Sequence, residues 1–214
     1  MRRAIGGGGM MGGPRSVLFL GPCGAGKTAM VQRLCHHRLV SSVTSMQVGR
    51  YDYKANPEAA LSAAVVDFPG HERLRGGVAG ELSRAERVVF VLDCSSLSAQ
   101  VPGGAELLYD TLSDPSLESC KGLLLACNKS DLRAVKLSRV KTLLQREIDN
   151  LRSTRGTLGT QGIEDQLSGT VALGRPGQPF IFDVDCPCEV TMVTCSVKED
   201  DLGAVRDFVS ASVH

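Results

Sequence analysis

The chain has 214 residues, enough for one α/β domain and cramped for two. Apolar residues make up 43% and aromatics only 4%, so a core must rest on Val, Leu, Ile and Ala. The net charge of +1 excludes a global basic field of the kind nucleic-acid binders carry, and no direct nucleic-acid contact is expected.

The first fifteen residues, MRRAIGGGGMMGGPR, are Gly-rich and are expected to form a disordered tail (1–15), or what remains after an upstream anchor was lost. No apolar run reaches the roughly 20 residues that cross a bilayer. Arg2 excludes an N-myristoylation signal, and the tail SASVH is no prenylation box. Membrane association therefore requires an anchor absent from this chain, or a partner. The eight cysteines show neither C-x-x-C spacing nor a secretory signal peptide beside them, so reduced and mainly buried thiols are expected. Cys186 and Cys188, which flank Pro187, are the candidates for reactivity.

The first element is a buried strand over 16–20 (SVLFL), followed by Gly21-Pro22-Cys23-Gly24-Ala25-Gly26-Lys27-Thr28 and a helix over 29–39. This octet fits G-x-x-x-x-G-K-[ST] in the context its mechanism requires, between a strand and a helix. Backbone N–H groups of such a loop close around phosphates, assisted by the positive end of the helix. Lys27 can reach the β- and γ-phosphates, and the Thr28 hydroxyl can ligate Mg²⁺. In the segment Ser41-Ser42-Val43-Thr44-Ser45, Thr44 is the residue expected to close over the γ-phosphate and complete the magnesium shell.

Residues 48–54 (VGRYDYK) alternate and suit an exposed edge strand, and 61–66 (LSAAVV) reads as a buried one. Asp67-Phe68-Pro69-Gly70-His71-Glu72 follows. Asp67 at a strand end can hold magnesium through water, and the Gly70 N–H can meet the γ-phosphate, so the loop senses whether that phosphate is present. His71 occupies the position where a water-orienting Gln is usual, and slow hydrolysis is expected.

Further strands are read at 87–93 and 121–127. The second leads into Asn128-Lys129-Ser130-Asp131. A carboxylate at Asp131 offers two coplanar acceptors to the N1–H and amino group of guanine. Adenine leaves it unpaired, so this element selects guanine. Asn128 is expected to tie this loop to the phosphate loop, and the Lys129 stem to cover the base. A helix over 135–155 turns Val135, Val140, Leu143, Leu144, Ile148 and Leu151 to one side, and Gly156 is expected to end it. Residues 156–179, with six glycines and two prolines, are expected to be a flexible insertion. The last strand, 190–194, precedes Thr194-Cys195-Ser196-Val197-Lys198, where N–H groups of Ser196 and Val197 can contact guanine O6. A final helix over 200–212 is expected to be capped by Asp200 or Asp201, with Leu202, Val205, Phe208 and Val209 inward.

Apolar strands alternating with helices imply a mostly parallel six-stranded sheet with helices on both faces. The motif order makes residues 16–214 an α/β P-loop NTPase G domain that holds GTP or GDP with Mg²⁺. NKSD argues against a metabolic P-loop kinase, which has no reason to carry it.

The order of P-loop, switch Thr, DFPGHE, NKSD and CSVK across 16–212 resembles the small Ras-like GTPases, and the His after D-x-x-G with the short switch region resembles the Arf and Sar branch. DFPGHERLR, LLLACNKSDL, KTLLQREIDNLRSTR and LGRPGQPFIFDVDC are most similar to the family of signal recognition particle receptor β subunits. That resemblance implies a GTP-binding regulatory subunit in co-translational targeting at the cytosolic face of the endoplasmic reticulum membrane. It also implies a partner, the N-terminal domain of the receptor α subunit, facing residues 41–54 and the stretch after His71 that includes Leu74 and Arg75. Tyr51 and Tyr53 are either anchors for that partner or covers for the core edge. A Sar- or Arf-type coat-recruiting GTPase is the competing reading, for which a shorter stretch between NKSD and the last motif is expected.

Overall fold

Runs of β-branched and leucine residues, each too short and too uniformly apolar for an amphipathic surface helix, form the centre of the sheet. The computed structural model describes residues 16–40, 45–56, 58–159 and 172–213. Its strands are β1 (Ser16–Leu20), β2 (Gly49–Tyr53), β3 (Ala63–Asp67), β4 (Ala85–Asp93), β5 (Leu123–Asn128) and β6 (Val190–Thr194), in the order β2-β3-β1-β4-β5-β6. All neighbours run parallel except β2, which pairs antiparallel with β3 at the edge. The alternation that marks 48–54 as an edge strand is seen in β2, where Arg50 and Asp52 are exposed and Tyr53 is buried.

The helices are α1 (Lys27–His36), α2 (Val78–Leu82), α3 (Leu97–Leu112), α4 (Leu137–Gly159), α5 (Phe182–Asp185) and α6 (Gly203–Ser210). Side chains alternate across β1 as a pleated strand requires. Leu18 and Leu20 join a core shared with α2, α3 and α4, while Val17 and Phe19 join a second core with α1 and α6. The sheet is therefore covered on both faces, and every crossover returns the chain so that the loops after β1, β3, β5 and β6 share one edge. Ligands of open α/β sheets lie at that edge.

Several elements depart from the sequence reading. Helix α1 starts two residues earlier than predicted and stops at His36, because His37 turns left-handed at φ 55° and its N–H closes on the Arg33 carbonyl. Helix α3 had no counterpart in the reading. Its sequence holds Pro102, Gly103 and Gly104, yet Val101, Ala105, Leu108 and Leu112 are buried at helical spacing. Helix α4 runs past Gly156 to Gly159, with Val140, Leu144 and Ile148 fully buried as the pattern requires.

Neither Asp200 nor Asp201 caps α6. Leu202 holds the cap position without a side-chain bond, and Asp200 instead pairs with Arg33 of α1 and Arg206 of α6. Its left-handed backbone, φ 58°, aims the carboxylate at these two cations.

Within 156–179 the first four residues are helical, and 172–179 is fastened. Arg152 donates to the carbonyls of Arg175 at 2.7 Å and Gln178 at 3.0 Å, and Leu173 is buried. Residues 160–171, the tail 1–15, and Thr44 with Ser41, Ser42 and Val43 lie outside the described residues.

Candidate functional site

The loop after β1 is shaped by glycines where no side chain fits. Gly21, at φ 137°, would place a Cβ 2.1 Å from the Val91 carbonyl oxygen. At Gly26 (φ 95°), a Cβ would lie 2.4 Å from Asn128 Nδ2. The backbone therefore packs directly on β4 and on the Asn128 side chain, and the loop lines a cleft of about 320 Å³ at the sheet edge. The Lys27 ammonium donates to the carbonyls of Gly21 at 2.7 Å and Pro22 at 2.9 Å. Burial lowers its pKa, opposed by the charge of Asp67 and by Cys23.

Asp67 ends β3 beside the start of α1. The Thr28 hydroxyl donates to its Oδ2 at 2.6 Å, while its buried Oδ1 has no hydrogen-bond partner among the described residues. Burial pushes this carboxyl above its ordinary range despite the Thr28 hydrogen bond and the Lys27 charge. A hydroxyl beside a desolvated carboxylate with an idle oxygen fits a magnesium ion, whose ligands are oxygens. Gly70 closes over this corner. A Cβ there would come within 2.6 Å of Lys27 Nζ and 2.7 Å of both Cys23 N and Gly21 O, so only glycine permits the approach.

Asn128 joins the loop after β5 to the loops after β1 and β6. Its Nδ2 donates to the Ala25 carbonyl at 2.9 Å, and its Oδ1 accepts from the Val197 N–H at 3.2 Å. Asp131 is held by the Ser196 hydroxyl at 2.7 Å, with Lys198 Nζ 3.9 Å from its other oxygen. Ser196 thus acts on Asp131 through its side chain. The Ser196 N–H is spent on the Asp201 carbonyl at 3.2 Å, and the Val197 N–H on Asn128.

Cys23, Gly24, Gly26, Lys27, Thr28, Gly70, Asn128, Lys129, Asp131 and Val197 all line the cleft, so the structure gathers residues drawn from four separate loops. Ala25 is buried behind it and serves through its carbonyl. His71 does not line the cleft. Its Nδ1 accepts from the Arg73 N–H at 3.3 Å and caps the 3₁₀ turn Glu72–Gly77. Tyr53 is 4% exposed and its hydroxyl shares a hydrogen bond with Ser210, so it covers the core edge and is no anchor; Tyr51 is half-buried against His36.

A profile of the family described as "Signal recognition particle receptor beta subunit" matches residues 13–185. The chain belongs to that family. It is 34% identical over 187 residues to the signal recognition particle receptor subunit beta of Mus musculus, covering 86% of this chain and 69% of the mouse protein. The Homo sapiens subunit is 32% identical over the same length, covering 86% and 68%. A chain of the mammalian SRP receptor structure superposes with TM-score 0.77 at 32% identity, covering 92% of this chain and 100% of that one. A chain of the SRb-GTP/SRX complex from Chaetomium thermophilum superposes with TM-score 0.66 at 22% identity, covering 92% and 98%, a likeness of fold alone. Membership of this receptor family disfavours the Sar- or Arf-type coat reading.

Two side chains at the site escaped the sequence reading. Asp93, at the end of β4, accepts from Lys129 Nζ at 2.6 Å. Burial works against its charge, but hydrogen bonds from Lys129 and Ser95 together with the Lys129 charge hold its carboxyl below the usual range. Gln100 of α3 donates to the Cys23 carbonyl at 3.0 Å and braces the phosphate loop from outside. For Asp93 a signal exists, since an acid closes an apolar strand, as Asp67 does. For Gln100 there is none, because the helix carrying it was not recognised.

Cys186 and Cys188, the cysteines singled out for reactivity, are half-buried, and burial pushes both thiols up to about 12. The thiolate is a minor species at neutral pH, which argues against a reactive pair. Among the described residues no helix is long and apolar enough to cross a membrane.

Proposed function

We propose that this chain is the GTP-binding regulatory β subunit of a signal recognition particle receptor. It acts in co-translational protein targeting at the cytosolic face of the endoplasmic reticulum membrane, and binds the N-terminal domain of the receptor α subunit when GTP fills the cleft. The observation that carries this reading is the pair of bonds made by Asn128, to Ala25 and Val197. They bind the phosphate cradle and both guanine-side loops into one frame, with the Asp131 carboxylate fixed by Ser196.

Each residue then has a task. Lys27 leaves the Gly21 and Pro22 carbonyls for the β- and γ-phosphates, a better partner for its charge. Thr28 and Asp67 would hold Mg²⁺, and Thr44 would complete its shell in the GTP state. When bound, magnesium neutralises phosphate charge. The Gly70 N–H meets the γ-phosphate, which makes the order of the loop after it dependent on nucleotide. To orient water, His71 must give up its bond to the Arg73 N–H, so unaided hydrolysis is slow. The same loop, with Leu74, Arg75 and the 41–54 region including Tyr51, forms the face the α subunit reads. Contact with that partner brings the chain to the membrane.

The test combines competition and capture. GTP should displace a fluorescent GDP from the purified chain while ATP does not. The α N-terminal domain should be captured at least about tenfold better by the GTP-analogue form than by the GDP form, about 1.4 kcal/mol of differential contact. Competition by ATP at comparable concentration, or capture of a coat subunit instead, overturns the proposal.

A further inference from the structure

A second concavity, of about 450 Å³, lies outside the nucleotide cleft, between the start of α3 and the stretch leading into α4. Its apolar lining comes from Leu97, Val135 and Leu143, and its rim from Arg133, Lys136 and Arg139. No acidic side chain lines it. The three cations are exposed, and none has an ion-pair partner among the described residues. By contrast, Lys129 is neutralised by Asp93 and Lys141 by Asp183.

We infer that this groove docks an acidic segment of a partner protein that inserts an aliphatic side chain between Leu97, Val135 and Leu143. Three unpaired cations around an apolar floor match carboxylates flanking a leucine or isoleucine, each part of the ligand meeting its complement. A bilayer fits less well, because headgroups on a flat surface reach the rim and leave the floor uncovered. The chain's own segments do not suit either. Residues 1–15 carry Arg2, Arg3 and Arg15 and no acid. Residues 160–171 contain Glu164 and Asp165, but Arg139 to Gly159 along α4 is about 30 Å. Ala172, which follows that segment, lies beside Leu112 at the far end of α3. An excursion to the groove and back needs about 60 Å, and this segment reaches about 43 Å when fully extended.

The groove also adjoins the guanine-side loop. Leu132 lines the nucleotide cleft and the next residue, Arg133, lines the groove. Leu97 follows the turn in which Asp93 accepts from Ser95 and Lys129. A ligand seated here contacts both chain segments that hold Lys129 in place, so its binding is linked to nucleotide binding.

The test uses fluorescein-labelled peptides of repeating Glu-Asp-Leu-Leu and of repeating Lys-Lys-Leu-Leu, read by anisotropy on the full chain. The acidic peptide is expected to bind saturably, tighter than about 1 mM, and the basic one not to bind. The exposed double variant R133E/R139E should weaken binding at least about tenfold, and R133K/R139K by less than about twofold. Ser98→Trp or Ala134→Trp, filling the concavity, should weaken it comparably while melting temperatures stay near wild type. Absence of saturable binding, or equal binding by R133E/R139E, overturns the proposal. So does capture by phosphatidylserine vesicles without peptide binding. Self-association abolished by R133E/R139E would assign the groove to a second copy of the chain and overturn it as well.

Discussion

The ammonium of Lys129 donates to the carboxylate of Asp93 at 2.6 Å, joining the end of β4 to the loop after β5. Lys129 is left-handed at φ 65°, a strained conformation for a side chain of its size, and this ion pair is one of the contacts that holds it there. Asp93 is further fixed by the N–H of Ser95 at 2.9 Å.

Asp93→Asn should lower stability at neutral pH by about 1.5–3 kcal/mol, the range for hydrogen bonds to charged groups, and should weaken guanine nucleotide binding. The pH dependence has a definite sign. The folded-state pKa of Asp93 is depressed below its unfolded value of about 3.9, so the stabilisation is present above that value and is lost as pH falls through the folded one. Melting curves of wild type and Asp93→Asn should stay apart at pH 7 and converge only below about pH 4. A difference that vanishes near neutrality would show that the pair contributes nothing.

Gly70→Ala is expected to fold and to lose nucleotide affinity by about a hundredfold, about 2.8 kcal/mol. Two of the three atoms its Cβ would meet, Cys23 N and Gly21 O, are backbone of the phosphate loop and cannot turn aside as a side chain can. Titration with fluorescent GDP measures the loss. Affinity within about threefold of wild type would mean that the two loops separate without cost.

Asp131→Asn should reverse the base preference. The Ser196 hydroxyl and Lys198 orient a carboxylate, and an amide in its place offers a donor to the extra carbonyl of xanthine. Competition by GTP and XTP against a fluorescent nucleotide reads the exchange. Unchanged GTP preference would remove Asp131 from base selection.

Arg75 and Glu106 should be energetically coupled. Arg75, in the 3₁₀ turn after the DFPGHE loop, donates to Glu106 of α3 at 2.6 Å, and Arg155 of α4 lies 3.8 Å from the same carboxylate. Glu106 is partly exposed, so a double-mutant cycle with Arg75→Ala and Glu106→Gln should give about 0.5–1 kcal/mol. An additive cycle would leave the turn independent of α3.

Single-turnover GTP hydrolysis by the isolated chain should be on the order of 10⁻⁴ s⁻¹ or slower, the range of unaided Ras-type proteins. His71 is engaged in capping its own turn. Fast turnover that His71→Ala leaves unchanged would take this residue out of the reaction.

The positions of the strands along the chain and the cleft's motifs are legible in the sequence because both are local in the chain. A buried strand is written as an unbroken apolar run, and the P-loop, DFPGHE and NKSD each follow such a run directly. Asn128 reaches the Ala25 carbonyl because the loops after β1 and β5 leave the sheet at the same edge. Helix α3 was not legible, because its burial against β4 and α4 outweighs the helix-breaking character of Pro102 and its neighbouring glycines. The Lys129–Asp93 pair, the Gln100 brace and the Arg152 clamp on residues 175 and 178 join positions far apart in sequence. Tyr53 and Tyr51 share an edge strand and a residue type, yet only Tyr53 is sealed, by α6. Local pattern fixes which segments are strands and which loops carry phosphate-binding residues. Which polar side chains neutralise one another, and which cations around Arg133 stay unpaired, depends on distances that exist only once the sheet and helices have packed.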